Sequence, residues 1–147
     1  MSQPKSKVNF DISGYIDESL LPAVQEGLKK FASEYAKQAS SDIGSEGGFQ
    51  IGTTKTGNPI WKASSKGSFP GNRTGTLKSS IKYFNLTDDS VTVGIPDNAA
   101  PGPNGSSPSV YGPILERTGR PWLSKTWQRN KERFFDIFVK TTAKALA

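Results

Sequence analysis

Two long amphipathic patterns, one near each end of the chain, frame a middle rich in glycine and proline. In the first, Leu20, Val24, Leu28, Phe31, Tyr35 and Ala39 recur at three- and four-residue spacing, and Ala32 and Ala36 widen the stripe. Residues so spaced share one side of an α-helix, so the pattern predicts a helix over 19–43 with one buried face. Pro22 bears on its start, because first-turn amides have no helical acceptor and a proline there forfeits nothing. Ser19 is the expected N-cap, with Pro22 third in the helix; Asp17 as the cap would push the proline inward. Gly44, opening GSEGG, suits the left-handed residue that ends a helix. The second pattern predicts a helix over 124–146. Leu123, Trp127, Phe134 and Phe138 form its stripe, with Phe135, Val139 and Leu146 beside it. Lys125, Gln128, Arg129, Lys131, Glu132 and Asp136 occupy the far face. The aromatic stripe reads as core, packed on a sheet or on the first helix.

Between and before these helices the period shortens. Residues 1–16 read as an extended arm in which Phe10, Ile12 and Tyr15 alternate, either a strand, a segment laid on a neighbour, or a frayed terminus. Within 45–75, a long polar connection, FQIGT and PIWKA flank TKTGN as two short strands around a glycine-containing turn. Pro59 then belongs at a strand start or edge. Over 76–96, TLKSSI gives one helical turn, and strands around IKYFNLT and VTVGI are joined at DDS as an antiparallel hairpin. DNAAPGPNGSSPS, 97–109, is a loop, and 110–147 is a corner followed by the closing helix. The expected fold is therefore α+β in one domain, 1–147. It has a long N-terminal helix, a small antiparallel sheet with hairpins, and a long C-terminal helix packed on the sheet.

Composition removes most chemistry. The 147 residues include no cysteine and no histidine. Thiolate nucleophiles, disulfides, the usual near-neutral base and the usual transition-metal ligands are gone with them. Asp88 and Asp89 are adjacent at a turn, so their side chains diverge. The glycine-rich stretches lack a phosphate-loop pattern. No metal or cofactor site is expected, and an enzyme would have to run on carboxylates, Lys, Tyr or Ser. No window has the apolar run of a membrane span. The start, MSQPKSKVNFD, lacks the apolar segment of a secretory signal, so synthesis inside the cell is expected. The formal charge of +6 keeps a basic DNA-binding accessory protein as the alternative function. The basic residues are nevertheless scattered, and in PIWK and IKYF lysine and aromatic point to opposite faces of a strand.

The stretch YGPILERTGRPWL, 111–123, stands apart. Glu116 has no useful acidic or basic partner for catalysis. It is better placed to pair with an arginine or to cap a backbone turn, in its own or a neighbouring subunit. Arg120 precedes proline and is pushed to an extended conformation. Pro121 and Trp122 then fix the angle at which the last helix leaves.

In order, GNPIWKASSKG, NRTGTLKSSI, a hairpin ending in VTVGI, and YGPILERTGRPWL with its closing helix resemble the tail-completion or neck proteins of long-tailed bacteriophages. These include the minor tail protein Z type and the virion-morphogenesis type. Thr74, Gly75, Leu77, Ser80 and Ile81 carry one shared motif; Tyr111, Glu116, Gly119, Pro121, Trp122 and Leu123 carry another. The resemblance spans roughly 57–135. Thr118-Gly119 stands where the family usually has Gly-Thr, and Trp122 where it usually has Phe. It implies a non-enzymatic virion subunit that forms a ring, sixfold in the family pattern. Tyr111, Leu115, Glu116, Arg117, Arg120, Pro121 and Trp122 are then the expected assembly residues, with Tyr111 and Leu115 as anchors, and Glu116→Ala is expected to harm assembly more than folding. The ring would sit between the head connector and the tail terminator or tube, with DNA passing through without sequence-specific contact. The subunit would be made in the host cytoplasm and end in the virion.

Overall fold

A computed structural model describes residues 6–14, 17–46, 49–62, 67–71, 75–102, 105 and 107–147. The chain is α+β. Strand β1 (Lys7–Asp11) leads to helix α1 (Leu21–Asp42), then β2 (Phe49–Thr53), β3 (Pro59–Lys62), α2 (Thr76–Ser80), β4 (Lys82–Phe84), β5 (Ser90–Gly94), α3 (Pro108–Arg117) and α4 (Leu123–Leu146). β1, β5 and β4 form an antiparallel sheet with β5 in the centre, and β2 and β3 form a separate antiparallel pair. No helix among the described residues is long and apolar enough to cross a membrane.

The central strand is the most buried because it is covered along both edges. Val91 and Val93 are fully buried, and they pair with Phe10 and Val8 of β1. Gly94 ends β5 at a φ of +142°, and a Cβ there would lie 2.1 Å from the Ser6 carbonyl oxygen. Only glycine lets β1 cross so closely, which gives the V-G ending of VTVGI a steric cause. β4 is shorter than the apolar run suggested. Asn85 turns the chain at a φ of +53°, a conformation its short polar side chain tolerates.

Helix α1 lies between the sheet and α4. Its buried residues run Ala23, Val24, Gly27, Leu28, Phe31, Ala32, Tyr35, Ala36 and Ala39, the expected period. Its start differs from expectation. Asp17, not Ser19, accepts the Ser19 amide and caps a single 3₁₀ turn over Glu18–Leu20. That tighter turn takes up the extra residues, so α1 begins at Leu21 and Pro22 falls second, where its missing amide costs nothing. Gly44 follows the helix in the left-handed conformation, at φ +83°.

α1 and α4 run antiparallel, and where they cross Gly27 leaves room for Thr142 and the Phe138 backbone. α4 packs chiefly on α1. It reaches the sheet through Trp127, whose ring centroid is 5.2 Å from that of Phe10. Around this point Phe31, Tyr35 and Phe134 close an aromatic cluster, with Phe10 edge-on to Phe31 at 4.7 Å and Tyr35 stacked on Phe134 at 5.1 Å. Such pairs add about 0.5–1.5 kcal/mol beyond their area. One part of the expected stripe is not core: Phe135, Val139 and Leu146 are exposed, because α1 covers only one side of α4. Of the N-terminal arm, Phe10 and Ile12 pack against the core, and Tyr15 lies outside the described residues.

Candidate functional site

The stretch 111–123 is not an irregular corner throughout. Pro108–Arg117 is helical, so the expected loop over 97–109 ends two residues earlier and the expected corner begins with a helix. Pro108 stands at the first helical position, where proline is preferred. Pro113 lies inside and removes one helical hydrogen bond. What compensates is packing around Gly112. A Cβ there would meet Ile95 at 2.9 Å, Ser6 at 3.3 Å and the Trp122 ring at 3.4 Å, so the helix lies directly on the end of β5.

α3 then stops in a defined way. The Thr118 amide bonds to the Ile114 carbonyl at 2.9 Å and the Arg120 amide to the Leu115 carbonyl at 3.0 Å. Gly119 provides the positive φ of +93° that this reversal needs. The Thr-Gly order therefore puts glycine just past the cap residue Thr118.

Four residues after Gly119 the chain enters α4, and Glu116 holds that entry. Its Oε1 accepts the backbone amides of Trp122 at 3.1 Å, Leu123 at 2.6 Å and Ser124 at 2.9 Å. Its Oε2 accepts the Ser124 hydroxyl at 2.8 Å. These amides are among the unpaired donors at a helix N-terminus, so the carboxylate satisfies them and opposes the helix dipole at once. No residue of α4 caps it with its own side chain. The partner open to Glu116 from sequence, an arginine or a backbone turn, resolves to the backbone of its own chain.

Trp122 locks the same joint from inside. It is 0 % exposed, and its Nε1–H donates to the Gly112 carbonyl at 3.0 Å. Tyr35 of α1 donates its hydroxyl to the Leu123 carbonyl at 2.7 Å. Burial first, and the Glu116 charge second, push the Tyr35 phenol well above its ordinary range. The Thr126 hydroxyl donates to Asp42 at 2.8 Å, which ties the end of α1 to the first turns of α4. Tyr111 and Leu115 are half-buried against the core, and burial raises the Tyr111 phenol. Pro121 and Arg120 are half-buried and Arg117 is exposed.

A second set of contacts, with no motif to announce it, fastens the segment after α1 to α4. Lys125 bonds to Glu46 and donates to the Gly67 carbonyl at 2.8 Å, with Arg129 3.6 Å from the same carboxylate. Lys125 also lies over the buried Phe69 ring, 4.4 Å from its centroid. The Lys125 hydrogen bond is the main reason the Glu46 carboxyl sits below its ordinary pKa.

The other motif sits away from this joint. Gly75 opens α2 at φ +79°, Leu77 and Ile81 are buried, and the Ser80 hydroxyl returns to the Thr76 carbonyl at 2.6 Å. Ser40 of α1 donates to the Lys78 carbonyl at 2.9 Å. Thr74 lies outside the described residues. The pattern is thus a short helix with its apolar side on α1. Among the described residues no group of three or more acidic side chains is gathered as a metal site would need. No family model, curated protein or solved structure matches the chain.

Proposed function

We propose that the protein is a structural subunit of a bacteriophage neck or tail. In this reading it forms a ring that completes the tail and joins it to the head connector, and DNA passes through the ring. The observation that carries the reading is the joint at 111–123. There a motif resembling that of tail-completion proteins spends its only carboxylate on four hydrogen-bond donors of a helix start. A carboxylate so saturated serves to hold geometry. In this reading the subunit is non-enzymatic, and its partners are further copies of the chain with the neighbouring connector, tail terminator or tube proteins.

The test is a stop codon placed in the gene within its own genome, with the particles viewed by electron microscopy. Filled heads separated from tails, or tails of abnormal length, are the expected outcome. Normal infectious particles would remove the assembly role. The DNA-binding alternative then returns, and it requires affinity for DNA that falls steeply with salt. It draws weaker support from α4, where Lys125, Arg129 and Arg133 are already paired with Glu46 or Glu34.

A further inference from the structure

Two exposed apolar stripes lie on different helices, and each ends in a charge that forms no ion pair among the described residues. On α3, Val110, Ile114 and Arg117 share one face at spacings of four and three residues, with Val110 62 % and Ile114 41 % exposed. On α4, Glu132, Phe135 and Val139 share one face at spacings of three and four, with Phe135 67 % and Val139 45 % exposed. Arg117 and Glu132 are exposed, and neither makes an ion pair among the described residues. Large apolar side chains grouped in this way mark interaction surfaces.

Laid antiparallel, the stripes match position for position. Arg117 meets Glu132, Ile114 meets Phe135, and Val110 meets Val139, over about 10 Å of helix. Beside Phe135 an open apolar groove of about 170 Å³, walled by Phe10, Leu28, Phe31 and Trp127 among others, extends the surface offered to the incoming helix. One chain does not bring its own stripes together. α3 leads into the start of α4 through the locked joint, and Phe135 stands roughly 18 Å further along α4 by helical rise.

We propose that α3 of one copy docks antiparallel on the Glu132–Phe135–Val139 face of α4 in the next copy. The two patches differ, so the contact is heterologous, and its repetition generates either a closed ring or an open filament. The pairing stands on the stripes themselves; that the repeat closes as a ring rests on the assembly role proposed above.

The absence of native cysteine lets single cysteines report the contact. Ile114→Cys and Phe135→Cys proteins are mixed under oxidising conditions. The mixed disulfide is expected to exceed either like-with-like product by about tenfold, since docking raises the local concentration of that pair alone. Statistical yields, or no disulfide, overturn the pairing. Arg117→Glu and Glu132→Arg are each expected to weaken self-association roughly tenfold in sedimentation velocity, with the double variant restored because the charges are exchanged. A double variant as weak as the singles also overturns it. Self-association that survives Ile114→Asp and Phe135→Asp removes this interface and leaves the assembly role, which the stop-codon particles judge separately.

Discussion

Glu116 and Trp122 act on the same joint from opposite sides, one polar and one apolar. Removing the carboxylate leaves a helix start without its cap and its favourable charge, so Glu116→Ala should destabilise the subunit by about 2–3 kcal/mol. Glu116→Gln, which keeps an acceptor oxygen without the charge, should lose about half as much. Urea unfolding of both variants checks this; equal losses would mean that the neutral acceptor contributes nothing, and an unchanged Glu116→Gln that the charge contributes nothing. The expected harm thereby moves from assembly to folding. The sequence placed Glu116 near a turn but did not identify its donors, because three of them are backbone amides that look alike at every residue. Trp122→Ala removes a fully buried indole and should cost about 3–5 kcal/mol. An unchanged urea midpoint would contradict the burial. Gly27 is a third sensitive point, since a Cβ there would fall 2.0 Å from the Thr142 hydroxyl and 3.0 Å from the Phe138 carbonyl.

At the scale of elements, that contact sets how closely α1 and α4 approach. Gly27→Ala should destabilise by about 2 kcal/mol, the overpacking outweighing alanine's better helix propensity. Adding Thr142→Ala removes the nearer clash and should recover part of the loss, and a double-mutant cycle measures how much. Strict additivity would show that the two residues do not meet. Helices α1 and α4 were legible because their period of 3.6 extends over six or more turns. α3 was not, because Gly112 and Pro113 are each local signals against a helix. What overrides them is the packing of Gly112 on Ile95, Ser6 and Trp122, which is tertiary. Likewise Phe10 and Ile12 hinted at a strand, but nothing local named β5 as its partner some 80 residues away. The exposed side of α4 was misread because Phe135 and Val139 are as apolar as the residues beside them, and only the position of α1 separates covered from bare. The Lys125–Glu46 contact had no signal at all, since its two charges are 79 residues apart.

For the whole molecule, acid and alkali should loosen the α4 interface through different residues. Glu46 has a lowered pKa in the folded chain. Its contribution is therefore present above the ordinary carboxylate value of 4.5 and is lost as pH falls through the lower folded value. Tyr35 has a raised pKa. Its contribution is full below the ordinary value of 10.0 and is lost as pH climbs beyond it. Urea midpoints measured across both limits should fall at each end. Glu46→Gln should flatten only the acid limb and Tyr35→Phe only the alkaline one. Both groups fasten α4, and α4 is also what closes over α1. About 80 residues separate the end of α1 from the beginning of α4. At ribosomal speeds of about 5–20 residues per second, that separation is roughly 4–16 s. Through that interval the nascent chain carries a half-covered first helix, with Phe31 and Tyr35 open to whatever holds emerging apolar segments. A translation pause ahead of α4 would lengthen that exposure and should lower the yield of folded subunit.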